Sequence, residues 1–531
     1  MPDGTVAGHY AFLHALYQEV LYQRLAPGQR VQLHRRLGER LEVGYGTRSA
    51  EIAIVLALHF EEGRDFVKAV RYLGQAAESS AKRFGNQEAA IYLTRALGLL
   101  DRWSSKDRRL TVRIKLLQQR GWARRSAGDF RGSLEDLSTV ASCAAEANQL
   151  LTEVKVLVDL SWFYLLVDRR RCLEVAERGL VRSRALVDDV MAALAQGNSA
   201  SLNLYLRGWR DEDADHCRLA LKMTGDARDP VIVMRRCAIR IVLAFMNSNY
   251  REGCVAAEQG QALAQERGDA YSFIMFNAFG AGFSLHLGAW REMQQSFAAA
   301  LAVTKKNANR LGTPSRLHVA WLHNEALDFE GARKCCEEAL NSAVEENPLI
   351  FFLGRNLLAK ASLGLHDYPA ALAQFNVIND RIEADGNYRN LLYPLFHHGF
   401  CEYWLAVGDL NRAREQATRL HDIAALPPER AYLALSHRLS AKIAIAEGNL
   451  EEARNQLLRA ISIVGRDELP LAYWRVYGTA AEFYDSVGET GKAAEFRCCC
   501  EKVIHALAES LDQDGPLRTS LLAGYAAEAR L

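Results

Sequence analysis

Between residues 430 and 465 the apolar positions fall three and four apart: Tyr432, Leu435, Leu439 and Ile443, then Leu457, Leu458 and Ile461. Such spacing marks one buried face of an α-helix. A polar turn separates the two runs, Gly448-Asn449-Leu450-Glu451-Glu452-Ala453. The same phrase stands forty residues earlier as Gly408-Asp409-Leu410-Asn411-Arg412-Ala413. Looser copies occur at Gly128-Asp129-Phe130, Asn249-Tyr250, Ala289-Trp290, Asp328-Phe329, His366-Asp367-Tyr368 and Gly488-Glu489-Thr490. A fixed period of helix, turn and helix predicts an array of stacked helical hairpins.

Aligned on their third residue, the copies fall at Phe66, Gln87, Phe130, Arg169, Trp209, Tyr250, Trp290, Phe329, Tyr368, Leu410, Leu450 and Thr490. After a first interval of 21 residues, every spacing is 39 to 43. The Gly, Asn or Asp lets the chain leave one helix through a left-handed residue and start the next. The aromatic or Leu is expected to wedge between the two helices of one hairpin. Three residues later a small side chain recurs (Ala69, Ala90, Ser133, Cys172, Gly253, Ala332, Ala371, Ala413, Ala453, Ala493), with Glu212 and Met293 as departures. A second small position precedes the wedge by nine: Ala200, Ala281, Ala320, Ala359, Cys401, Ala441, Ala481. Two small positions per period predict closely packed helix pairs. Pro348, Pro394, Pro428 and Pro470 stand near predicted starts of first helices, where proline is tolerated.

These turns and small positions resemble the tetratricopeptide repeat over roughly residues 50–510, with a period longer than that family's usual ~34 residues. The longer period is similar to that of repeats in bacterial signalling proteins. The resemblance implies an all-α fold, a TPR-like right-handed α-solenoid of about a dozen helical hairpins.

The start of the chain has a different pattern. His9-Tyr10-Ala11-Phe12-Leu13-His14-Ala15-Leu16-Tyr17-Gln18-Glu19-Val20-Leu21-Tyr22 and Leu33-His34-Arg35-Arg36-Leu37 resemble the segment joining the nucleotide-binding module of bacterial STAND-type ATPases to their helical repeats. The resemblance makes residues 1–45 a short partial winged-helix remnant and linker after an absent ATPase module. Residues 46–511 are then the solenoid, and 512–531 a C-terminal capping helix and tail. Relatives of that kind carry adenylate or guanylate cyclase domains, or DNA-binding regulator domains, upstream.

Composition narrows the function classes. Of 531 residues 49% are apolar and 24% charged, as in a folded globular chain. A formal net charge of +1 provides no global field for nucleic acid or an anionic membrane. Eleven cysteines form no CxxC pair, and Cys335-Cys336 and Cys498-Cys499-Cys500 are adjacent, which suits neither a disulfide nor a zinc knuckle. Free thiols and the lack of an apolar leader or span point to a cytoplasmic protein.

No catalytic, cofactor-binding or metal-ligating residue can be assigned from the sequence. Gly488-Glu489-Thr490-Gly491-Lys492 resembles a phosphate loop, but Ser486 and Ala493 occupy positions where that motif needs Gly and Ser or Thr, and the segment lies on the repeat register. His323-Asn324-Glu325 with Cys335-Cys336 lacks the second half of a zinc deaminase signature. His397 and His398 are adjacent, so on a helix they diverge. Arg169-Arg170-Arg171 and Arg235-Arg236 are expected to be solvated helix termini.

The family resemblance puts the first helix of each pair along a concave groove. Twelve and eight residues before the wedge lie two positions on one helix face: Asn356 and Lys360, His398 and Glu402, Arg438 and Lys442, Gly478 and Glu482. In consecutive repeats these make a polar strip for a charged peptide or small effector. Upstream the same positions are less polar, as at Ala238 and Val242 or Leu317 and Trp321. The expectation is therefore a non-catalytic interaction or sensor module without cofactor, membrane contact or direct nucleic-acid contact. A protein or small effector would bind in the groove, and residues 9–45 would dock on a STAND or AAA ATPase module. Two other readings remain: the C-terminal part of a cyclase, ATPase or transcriptional regulator, and a constitutive structural adaptor.

Overall fold

A computed structural model describes residues 2–4, 15–102, 106–165, 167–306, 313–342, 348–386, 392–426, 429–465 and 468–528. Among the described residues the ordered elements are α-helices and one 3-10 turn, Gly46–Ile52. Much of the His9–Tyr22 phrase lies outside the described residues. No helix among them is long and apolar enough to cross a membrane. The chain divides into two compact units.

The first unit comprises residues 1–156 together with 264–271 and 306–308. Its helices include Pro27–Tyr45, Ala53–Glu62, Phe66–Lys82, Asn86–Leu100, Lys106–Ser126 and Phe130–Glu146. Leu56, Phe60, Leu73, Ala96 and Leu100 are buried in its core, and the Phe60 and Tyr72 rings stack at 5.6 Å. Glu42 ties two helices together by accepting from Lys68 Nζ at 2.7 Å and Tyr72 Oη at 2.5 Å. Segment 264–271 lies tightly against this unit. Asn86 Nδ2 donates to the Gly268 carbonyl at 3.3 Å, and Arg125 pairs with Asp269 at 3.2 Å. Gly268 has a φ of +69°, and a Cβ there would lie 1.8 Å from the Ala81 carbonyl oxygen, so both conformation and space require glycine.

The second unit comprises residues 157–263, 272–305 and 309–531. Its hairpins follow the repeat register closely. Arg169, Tyr250, Trp290, Phe329, Tyr368, Leu410, Leu450 and Thr490 are each the first residue of a second helix. One residue before the N-cap position stands a left-handed residue: Gly288, Gly408, Gly448 and Gly488, but also Ser248, Leu327 and His366, whose φ values are 53°, 59° and 59°. Where Asp or Asn follows, it can cap the helix, as where Asp409 Oδ1 accepts from Arg412 N at 3.0 Å and Asn449 Oδ1 from Glu452 N at 3.2 Å. Each such cap stabilises its helix by about 1 kcal/mol. Both small positions are buried: Ala320, Ala359 and Ala441 on first helices, Ala332, Ala371, Ala413 and Ala453 on second helices. Cys401 Sγ donates to the Ala413 carbonyl at 3.2 Å, joining the two positions within one hairpin.

Two expectations are corrected. The aromatic at the turn packs mainly between successive hairpins, not within one. Tyr368 meets Tyr403 of the next first helix, and a Cβ on Gly364 would lie 2.5 Å from the Phe329 ring. Tyr250 stacks on His286 at 4.6 Å while also edging Phe245 of its own hairpin. Opening the second helix at the turn end, this residue reaches forward to the end of the following first helix. Nor are the arginine runs all solvated. Arg169 is buried over the Phe352 ring, and Arg235 over the Trp162 ring at 5.6 Å, beside Asp159 at 3.6 Å. Arg236 caps the helix Asp211–Met223 by donating to the Thr224 and Gly225 carbonyls.

Chain segments far apart in sequence touch within this second unit. Ser248 Oγ donates to Glu429 Oε1 at 3.0 Å across 181 residues. A Cβ on Gly288 would lie 2.5 Å from Leu507, and one on Gly524 2.8 Å from Leu327. With a period near forty, these contacts join hairpins roughly four and a half to five and a half repeats apart.

Candidate functional site

Five first helices of the second unit meet in one ion network: Thr313–Glu325, Pro348–Gly364, Tyr393–Ala406, Arg430–Ala446 and Pro470–Ser486. Glu325 is the last residue of the first of these and is 5% exposed. Its Oε1 accepts from Lys360 Nζ at 2.7 Å and its Oε2 from Arg475 Nη2 at 2.6 Å, the latter across 150 residues. Burial alone would raise the Glu325 carboxyl, but Arg475 and Lys360 outweigh it and hold the group well below the usual carboxylate range.

A second carboxylate repeats this arrangement on the neighbouring hairpins. Glu402 Oε1 accepts from Arg438 Nη1 at 3.1 Å, and its Oε2 lies 3.7 Å from His398 Nδ1. Burial pushes the Glu402 carboxyl up, while His398 and the cations Arg438, Lys360 and Arg475 pull it lower still. Burial pushes the His398 imidazole down to about 4 despite Glu402, so it is neutral at neutral pH. Arg438 Nε is held by the Arg475 carbonyl at 3.1 Å and by Thr479 Oγ1 at 3.0 Å, which fixes the guanidinium plane. Arg475 Nη1 in turn donates to the Leu471 carbonyl, and its guanidinium lies over the Trp474 ring at 4.5 Å. Two carboxylates and three cations thus form a braced ion network across five helices.

This network backs a cavity of about 680 Å³. Of the residues in the expected strip, Lys360, Glu402, Arg438, Lys442, Gly478 and Glu482 line it. Asn356 does not: it is 4% exposed, and its Nδ2 donates to the Phe352 carbonyl of its own helix. His398 is buried behind Glu402 and not on the cavity wall. His397 faces another way, with Nδ1 at 2.7 Å from Gln416 Oε1. Five cations (Lys360, Arg438, Lys442, Arg475, Arg497) and three carboxylates (Glu402, Glu482, Asp485) line the wall, an excess of positive charge. Trp474 lines it too, and its buried indole N–H has no hydrogen-bond partner among the described residues. The cavity therefore offers fixed cationic donors plus an open neutral donor, a set suited to accepting oxygens.

Sequence reasoning missed Glu325, Arg475 and Trp474. Glu325 lies four residues before its turn residue, Phe329, and Arg475 fifteen before Thr490, so neither falls on the twelve-and-eight face. A usable signal was present: an arginine between Trp474 and Val476 in an apolar first helix requires a buried partner.

No family model matches this chain, and no curated protein matches it. Solved structures do. A Rap protein complexed with competence and sporulation factor aligns at 14% identity and a TM-score of 0.52, over 68% of this chain and 99% of that one. The Cut9 and Hcn1 hetero-tetramer of the APC/C aligns at 12% identity and 0.45, over 97% and 92%. A signal transduction ATPase with numerous domains, bearing a tetratricopeptide repeat sensor, from Pyrococcus horikoshii aligns at 13% and 0.38, over 86% and 65%. The chain has a tetratricopeptide-type helical repeat fold, and likeness at this identity speaks to fold alone.

Proposed function

We propose that this chain is a non-catalytic sensor module that binds a charged peptide or small effector in the cavity lined by Lys360, Glu402, Arg438, Lys442 and Glu482. The observation that carries the reading is the braced ion network. It holds Arg438 and Arg475 rigid at the wall of a concave site, which lowers the entropy cost of binding. The excess of cations favours an acidic ligand. The Rap structure, solved with competence and sporulation factor, supports a ligand-binding reading of a similar fold.

Binding is relayed as a population shift. A ligand that contacts several first helices favours one packing of the hairpins over another. The output lies on a module of STAND type, which meets this chain through residues 9–45. Val20, Leu21, Leu33 and Leu37 are 42%, 50%, 51% and 45% exposed, an apolar surface that such docking would cover. The protein acts in the cytoplasm, where its eleven free cysteines stay reduced. The test is hydrogen exchange on the chain alone and with a separately expressed STAND ATPase module from the same source. New protection over residues 15–45 supports the relay. Unchanged exchange there rejects it and leaves a constitutive adaptor.

A further inference from the structure

A second cavity, of about 770 Å³, lies elsewhere in the second unit, between the helices Arg169–Ser183, Asp189–Arg207 and Asp211–Met223. It occurs where the repeat departs from its pattern. Glu212 occupies the position that is small in other copies, and the second helix starts at Asp211, two residues after Trp209. Close packing passes instead to Ala214 and Cys217, both fully buried. The displaced register leaves a groove whose wall is acidic.

Glu177, Asp189, Glu212 and Asp213 line this groove against Arg184, Arg210 and His216, whereas cations outnumber carboxylates in the first cavity. In the first cavity the carboxylates Glu402 and Asp485 are paired with arginines. Here no lining carboxylate forms an ion pair among the described residues. Asp213 is half-buried, and its one close partner is the Asn203 amide at 3.5 Å. Burial pushes its carboxyl up, against the Asn203 hydrogen bond and the nearby Arg210 and His216. A half-buried carboxylate that makes no close ion pair gains from a ligand that brings a positive charge to it. Ser199 also lines the groove, is 5% exposed, and its hydroxyl has no hydrogen-bond partner among the described residues. Leu180, Leu219 and Met223 add apolar wall between the charges.

We propose that this groove is a second ligand site, for a free aliphatic polyamine. Ammonium groups would meet Asp213, Glu212 and Glu177, and the methylene chain would lie on Leu180, Leu219 and Met223. A volume of about 770 Å³ is within the ~300–1,000 Å³ of small-molecule sites. Carboxylates contributed by three separate helices match a cation with separated charges better than a compact metal ion.

The test is isothermal titration of the full chain with spermidine at near-physiological salt. One saturable site is expected, weakened at least tenfold in E212Q/D213N and unchanged in Glu135→Gln, a charge loss on the exposed face of a helix of the first unit. Arg210→Gln is expected to tighten binding severalfold, a gain that no folding defect can mimic. The site is rejected if spermidine shows no saturable binding, if Glu135→Gln weakens it equally, or if Arg210→Gln leaves it unchanged. Magnesium competing charge for charge reduces the groove to a counter-ion sink and overturns the proposal. A hexalysine peptide binding more tightly than spermidine overturns the assignment to a free polyamine.

Discussion

Arg475 donates to Glu325 at 2.6 Å although 150 residues separate them, and each side chain is less than one-tenth exposed. This bond joins the end of one first helix to another several repeats later. With Lys360 on the other carboxylate oxygen, it fixes the wall of the candidate site.

Removing one partner leaves buried charge uncompensated. Glu325→Gln is expected to destabilise the second unit by roughly 3 kcal/mol or more. The double variant Glu325→Gln, Arg475→Met should cost clearly less than the two single losses added. Urea denaturation of the four proteins measures the coupling, and additive losses would mean that the pair does not act as a unit.

Glu429 bridges Ser248, Tyr250 and the start of the helix Arg430–Ala446. Burial pushes its carboxyl up to about 7, despite those hydrogen bonds. The folded state then binds a proton that the unfolded state has released. Its stabilising contribution is complete below about pH 4.5 and is lost as pH rises through about 7. Glu429→Gln, which keeps the acceptor and removes the titration, should be more stable than the parent at pH 8, by of order 1–2 kcal/mol, and no more stable at pH 5. Thermal melts at both values decide this, and a pH-independent difference counts against it.

Two glycines are required for different reasons. Gly448 has a φ of +77° with open space around it, so Gly448→Ala carries only the left-handed penalty of about 1–2 kcal/mol. Gly364 has no such φ, but an added Cβ would meet the Phe329 ring at 2.5 Å. Phe329→Leu should therefore relieve part of the loss in Gly364→Ala and none of the loss in Gly448→Ala. Denaturation midpoints of the single and double variants test the contrast.

The fold was readable in the sequence because its signals are local. Left-handed turn residues, Asp and Asn caps and paired small residues recur within a few positions of each other, so Asp409, Ala413 and Cys401 could be placed from spacing alone. Contacts across 150 to 183 residues leave no such signal. Glu325 and Arg475 belong to different repeats and to no common face. The strip was therefore found in part: Lys360, Glu402, Arg438, Lys442 and Glu482 share a cavity, while Asn356 turns back to its own helix. The burial of Arg169 was illegible for the same reason, since its partner Phe352 is supplied by a distant hairpin.

The cavity on the Glu325, Arg438 and Arg475 network should accept a charged ligand, which fluorescence anisotropy with labelled octaglutamate, octalysine and octaserine decides. Octaglutamate should bind the full chain saturably, at least tenfold more weakly in Lys442→Gln with Arg497→Gln, and octaserine weakly or not at all. Octaglutamate binding that is absent, or indifferent to loss of both cations, rules out a ligand site on this network.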